Sequence, residues 1–148
     1  MLGLALEAEA RFAASDLELD RAGPSYTVDT VEEVFARLPA GASLHVVIGT
    51  DNLPGLPDWF RVEELLARVH PVVVHREGDP DALVDALEGR LSPEAVARLR
   101  RGLLRLPPVP CSSTEVRAAL AEGRIPFDDL PPGVGEYIRA RNLYGIAP

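Results

Sequence analysis

Apolar side chains at Val28, Val31, Val34, Phe35 and Leu38 fall three and four residues apart. This is the spacing of one helix face, and it predicts a helix over 27–38 with Glu32, Glu33 and Arg37 on the other side. Pro39 and Gly41 end it. The pattern then changes. Residues 44–48 are continuously apolar and β-branched, as a buried strand requires, and 71–75 repeat the pattern with three valines in a row. Between them lie a turn-rich loop, 49–57, and a helical stretch, 60–69. Two surface helices are expected at 81–87 and 93–99, the second opened by Ser92-Pro93-Glu94 with proline at its first position. Residues 103–106 read as a short strand. Val116 to Leu120 begins another amphipathic segment that stops near Gly123, and a last helix spans 132–141, against which Leu143 and Tyr144 should dock. At the front, 1–10 has helical spacing at Leu2, Leu6 and Glu9, 12–19 alternates loosely like a strand, and 21–25 is a loop.

Helices alternating with continuously apolar strands imply a parallel sheet covered on both faces. Ligands of such folds bind beyond the carboxyl ends of the strands. Three polar loops follow the strands: Gly49-Thr50-Asp51, Arg76-Glu77-Gly78 and the stretch 111–114. A parallel sheet would place them on one rim. No repeat, low-complexity tract or long linker divides the 148 residues, so a single domain is expected.

Composition narrows the chemistry. The net charge is -8, from 15 basic and 23 acidic residues, which argues against a broad nucleic-acid surface but leaves room for a small basic pocket. All the basic residues are arginine, so no lysine is available as a phosphate ligand. Cys111 is the only cysteine, and a reducing cytoplasm is the simple inference. No apolar run is long enough to span a membrane, and residues 1–10 carry no signal-peptide pattern. His45, His70 and His75 show no metal-ligand spacing, and His70 and His75 would point to opposite faces of a strand, so the histidines are not expected to act together.

The most informative stretch is Ser112-Ser113-Thr114-Glu115-Val116-Arg117. Ser112 with Glu115 three residues on has the spacing of a capping box. A helix start offers unpaired N–H groups and the positive end of the dipole. Ser113 and Thr114 add hydroxyls, and Arg117 adds a planar fork one turn on. Together they suit a triphosphate, although ordinary capping explains the serine equally well. Gly49 permits a close backbone approach, and Asp51 could accept hydrogen bonds from ribose hydroxyls. Trp59 could stack on a flat ring or close the core beneath its loop, with Asp58 as cap of the next helix in the second case. Thr27 is a plausible N-cap for the helix at 27–38, whose first N–H groups could take a carboxylate.

In this order, these stretches resemble bacterial nicotinate-nucleotide adenylyltransferases. The resemblance rests on Gly23-Pro24-Ser25-Tyr26-Thr27-Val28-Asp29-Thr30, on Ile48-Gly49-Thr50-Asp51 with Leu56-Pro57-Asp58-Trp59, and on Val72-Val73-Val74 with Arg76. It continues through Ser112 to Arg117 and the tail Leu130-Pro131-Pro132-Gly133-Val134, Glu136-Tyr137-Ile138-Arg139 and Leu143-Tyr144-Gly145. It covers nearly the whole chain. It implies a three-layer, Rossmann-like nucleotidyltransferase fold with a mainly parallel sheet, and AMP transfer from ATP to nicotinate mononucleotide with magnesium. Ser112, Ser113, Thr114 and Arg117 would hold ATP phosphates. Ser25, Tyr26, Thr27, Gly49, Asp51, Trp59, Phe60 and Arg76 would bind the mononucleotide, with Trp59 on the pyridine and Thr27 and the Phe60 backbone at its carboxylate. No nucleic acid or membrane partner is implied, and the sequence admits a homo-oligomer.

Departures are small at Cys111 and Thr50 and large at the front. The family's opening strand and its Gly-Gly-Thr/Ser-Phe-Asp-Pro-x-His-x-Gly-His loop are absent from these residues. The chain is therefore expected to be truncated and by itself weak or inactive, with no catalytic residue of its own and a gap between strands 12–19 and 44–48. Losing one preorganised charge-stabilising donor usually costs about 10²–10³ in rate. Two alternatives accompany this reading: a sister enzyme acting on pantetheine phosphate, and a non-catalytic nucleotide-binding domain.

Overall fold

Strand β1 (His45–Gly49) pairs in parallel with β2 (His70–Val74), and β2 pairs in parallel with the two-residue β3 (Leu103–Leu104), giving the order β1-β2-β3. This computed structural model describes residues 1–75, 78–106 and 112–145. The chain forms two compact units, residues 1–16 with 110–148 and residues 17–109; the sheet belongs to the second.

Four helices accompany the sheet: α2 (Thr27–Arg37), α3 (Val62–Arg68), α4 (Pro80–Asp85) and α5 (Pro93–Arg101). Ile48 and Val73 from the strands pack with Val62 and Leu66 of α3, Val84 of α4, and Val96 and Leu99 of α5. A neighbouring cluster joins Val28 and Val31 of α2 to Leu65 and Val69. Adjacent Leu65 and Leu66 thus face two different clusters, and α3 is the wall between them. Glu63 of α3 accepts from both the N–H and the hydroxyl of Ser92, each at 2.7 Å, while the Ser92 hydroxyl accepts from Ala95 N–H at 3.2 Å. One carboxylate therefore fixes the cap that starts α5. No buried side-chain polar atom among the described residues lacks a partner.

The expected cover on both faces is not seen. Alternate residues of β1 are exposed, and Val47 keeps 70% of its surface accessible. The strand order explains this. Right-handed crossovers that advance β1 to β2 to β3 in one direction place every connecting helix on the same face. The same pairing corrects the reading of the histidines. Register brings His45 opposite His70, and their rings stack with centroids 5.0 Å apart.

Residues 12–19, expected as a strand, are not one. Phe12 and Leu19 are 62% and 85% exposed, so the alternation buries nothing. Instead, Thr30 of α2 donates to the Glu18 carboxylate at 2.6 Å, and Ser25 donates to the Glu18 carbonyl at 3.3 Å. Glu18 is thereby tied to the start of α2.

In the first unit, α1 (Leu2–Leu6) is shorter than expected. Its Leu4 and Ala5 pack against Leu120 of α6 (Ser113–Ala121) and Val134 and Ile138 of α7 (Val134–Ala140). Leu143 joins this cluster as expected, whereas Tyr144 stays half-exposed. No helix among the described residues is long and apolar enough to cross a membrane.

Gly102, between α5 and β3, sits where a Cβ would overlap the Pro71 carbonyl oxygen. Gly102→Ala is expected to destabilise the protein by about 1–3 kcal/mol in urea denaturation, the range for overpacking. Gly55→Ala, with open space around it, should stay within about 0.5 kcal/mol.

Candidate active site

Beyond Gly49 the chain enters a 3-10 helix, Thr50–Asp58. Pro54 and Pro57 deny the i to i-4 hydrogen bonds an α-helix needs. Three residues per turn put Thr50, Leu53 and Leu56 on one side, and all three are buried. Asp51 is left exposed at the carboxyl end of β1, where its carboxylate accepts from the Asn52 amide at 3.4 Å. Arg90 pins the outer side, donating to the Pro54 carbonyl at 3.0 Å. Asp58 does not cap α3; it lies 3.6 Å from Arg90.

The 3-10 helix closes on Trp59, whose N–H donates to the Leu56 carbonyl at 3.0 Å. Trp59 is half-buried and packs against both clusters of the second unit. Phe60 follows, half-exposed, with its ring 4.5 Å from the Tyr26 ring. The fold thus brings the start of α2 to the turn after Trp59, across more than thirty residues of sequence. Tyr26, not Thr27, is the N-cap of α2, and no side chain caps this helix. Thr27 is its first helical residue, and Ser25 is turned to the Glu18 carbonyl.

Arg61 locks this corner, and sequence reasoning passed over it. It adopts a left-handed conformation, φ 52°, unusual for a residue with a Cβ. Its guanidinium grips Glu64 at 2.6 and 2.9 Å, reaches Glu32 at 3.0 Å and Asp29 at 3.5 Å on α2, and lies 6.0 Å from the Phe60 ring centroid. Arg68 adds pairs to Glu32 and Glu64. The hydrogen bond from Arg61 holds the Glu64 carboxyl below its ordinary range, and the same bond keeps Arg61 protonated beyond its ordinary range. The only hint in the sequence was the spacing of Arg61, Glu64 and Arg68; the partners on α2 are distant.

The phosphate motif opens α6 in the first unit. Ser112 is the N-cap, as expected, although its hydroxyl accepts from Thr114 N–H at 3.3 Å and not from the Glu115 N–H of a capping box. Val116, Ala119 and Leu120 turn inward, leaving Ser113, Thr114 and Arg117 exposed. Ser113 and Arg117, four apart, share a face. Arg117 has no ion-pair partner among the described residues. Arg76 and Cys111 lie outside the described residues.

Curated relatives match nearly the whole chain in sequence. A probable nicotinate-nucleotide adenylyltransferase of Aeromonas hydrophila is 42% identical over 153 residues, covering 97% of this chain and 71% of the relative. The chain belongs to the nicotinate-nucleotide adenylyltransferase family. Others named the same way come from Dehalococcoides mccartyi and a Synechococcus species, each 34% identical over 146 residues, covering 97% of this chain and 69% and 67% of theirs. The chain thus spans about seven-tenths of their length. No protein-family model matches it. Among solved structures, the Plasmodium falciparum nicotinic acid mononucleotide adenylyltransferase complexed with APC superposes with a TM-score of 0.62 at 16% identity, covering 99% of this chain and 72% of that one. The same enzyme complexed with NaAD gives 0.58 at 18% identity, covering 84% and 59%. At such identities the likeness concerns the fold, and it agrees with the Rossmann-like nucleotidyltransferase class.

In this member of the adenylyltransferase family Trp59 carries structure whatever it binds. Trp59→Ala is expected to cost about 2–4 kcal/mol in urea denaturation, below the top of the range for buried aromatics because the ring is only half-buried. Glu64, held ionised by Arg61, stabilises the fold above its unfolded pKa, and that contribution fades as pH falls through the lower folded value. Glu64→Gln should therefore weaken the protein more at pH 7 than at pH 3, measured by thermal denaturation at both.

Proposed function

We propose that the protein transfers AMP from ATP to nicotinate mononucleotide, giving nicotinate adenine dinucleotide and pyrophosphate in NAD synthesis. Family membership supports the reaction class. The observation that carries the substrate is the meeting of the uncapped start of α2 with Phe60, seen in the 4.5 Å contact between the Tyr26 and Phe60 rings. The free N–H groups there suit a carboxylate on a flat ring, which nicotinate has and pantetheine phosphate lacks. Ser25, Tyr26 and Thr27 would border the acceptor, Trp59 would offer its uncovered part to the pyridine, and Asp51 and the Gly49 backbone would meet the sugars. Arg76 is assigned to the mononucleotide by resemblance.

A phosphate oxygen of the mononucleotide attacks the ATP α-phosphorus in line. The bond from that phosphorus to the bridging oxygen breaks, and its electron pair leaves with pyrophosphate. No protein nucleophile is needed, because positioning and charge stabilisation carry such transfers. Ser112, Ser113 and Thr114 would hold ATP phosphates with the N–H groups of α6, and Arg117 would hold the departing pyrophosphate. No cluster of three or more His, Cys, Asp or Glu is placed to hold a metal among the described residues. Magnesium would be carried on the phosphate oxygens of ATP. Since these substrates are water-soluble nucleotides, we assign the protein to the cytoplasm.

Pyrophosphate release from ATP and magnesium is expected to require nicotinate mononucleotide. Faster release with pantetheine phosphate would overturn the reading, as would absence of both release and any tryptophan fluorescence response to the mononucleotide. Arg117→Ala should lower kcat/KM by roughly 10²-fold, comparable to losing one charge-stabilising donor. The melting temperature should be unchanged, since the side chain is exposed; unaltered kinetics would remove Arg117 from the site.

A further inference from the structure

The opposite end of the strands carries a second basic feature. An open cavity of about 580 Å³ runs from His45 and His70 at the amino ends of β1 and β2 to Leu104 of β3. Its lining includes His45, His70, Val72, Arg98, Arg101 and Leu104 and, among the described residues, no aspartate or glutamate. The strands rise about 3.3 Å per residue, so His45 stands roughly 13 Å from the Gly49 rim. None of its lining residues is among those assigned to the mononucleotide, although Leu104 stands level with Val74.

Two facts make this cluster unusual in a protein of net charge -8. Among the described residues, every arginine except Arg98, Arg101 and Arg117 either pairs with a carboxylate or sits over an aromatic ring. Arg117 is already assigned to phosphate. The other two line the same cavity. In addition, the paired first residues of β1 and β2 are both histidines, and their stacked rings, 27° from coplanar, lie in the same lining. Arginine near a helix carboxyl end complements the dipole, which accounts for Arg98, Arg100 and Arg101 on α5. It does not account for the division among them. Arg100 is neutralised by Asp85 and Glu88, whereas Arg98 and Arg101 turn to a cavity with no acid among its described lining residues.

We propose that this cavity binds a small phosphorylated anion, with its phosphoryl group on Arg98 and Arg101 and its body against the His45–His70 pair, Val72 and Leu104. Arginine forks match phosphate oxygens, neutral or protonated imidazoles add donors, and the volume lies within the range of small-molecule sites.

The three histidines supply the readout. His45 and His70 line the cavity, while His75 is not among its lining residues and its Nε2 lies 2.9 Å from the Gly78 carbonyl, so it serves as an internal control. Imidazole NMR signals are followed while phenyl phosphate or inorganic phosphate is added to the full chain. Saturable shifts are expected at His45 and His70 and not at His75. In the R98Q/R101Q double variant, with an otherwise unchanged amide spectrum, Kd should weaken at least tenfold, and Arg117→Gln should leave it unchanged. Tighter binding of phenyl phosphate than of inorganic phosphate assigns the ligand as a phosphomonoester; equal binding assigns it as free phosphate. No saturable shift, the same shifts with sodium chloride at matched ionic strength, or undiminished binding by the double variant would each overturn the proposal.

Discussion

The parallel contact between β1 and β2 is the constraint on which the second unit depends. Ile48 and Val73 are buried against α3, α4 and α5, each contributing about 1.5–3 kcal/mol relative to exposure. Their burial fixes which face of each strand is apolar. A slip of one residue would send these side chains to the open face and bring Val47 and Val72 inward. Because the register is fixed, the carboxyl ends of β1 and β2 finish together at Gly49 and Val74. The loops that follow start from one rim.

The site is built outward from that rim by apolar anchoring with polar residues left over. Thr50, Leu53 and Leu56 hold the 3-10 helix down, and Asp51 is exposed as a consequence of the same period. Trp59 then fills the seam between the clusters that α3 separates. With Trp59 seated, Phe60 reaches Tyr26, and the Arg61 network ties α2 to α3 across the surface. Exposed pairs are individually weak. Their contribution here is orientation, since one guanidinium contacts carboxylates on both helices at once.

Electrostatics sorts the arginines of this acidic chain into three groups. Most meet carboxylates on neighbouring elements and work as ties between helices and loops. Arg139 and Arg141 sit over aromatic rings instead, and those left with neither among the described residues are on α6 and on the carboxyl end of α5. In a protein with excess acid, a guanidinium kept apart from carboxylates stays available to an external anion.

Local pattern determined much of this protein. The period of Val28, Val31 and Phe35 set α2, the apolar runs set β1 and β2, and Ser92-Pro93 set the start of α5, because each depends on neighbours within a few residues. The motif order from Gly23 to Arg117 was enough to indicate the family. The sequence could not show that Glu18 would be tied to Thr30 and Ser25, since the alternation of 12–19 fits a strand equally well and only the contacts of Glu18 decide. Nor could it place Arg61 between Glu64 and the acids of α2, or put His45 against His70. Those partners are 25 to 32 residues apart, and nothing local encodes their meeting. Tertiary structure decided them through strand register and the burial of Trp59, which bring together side chains that no helical or strand period relates.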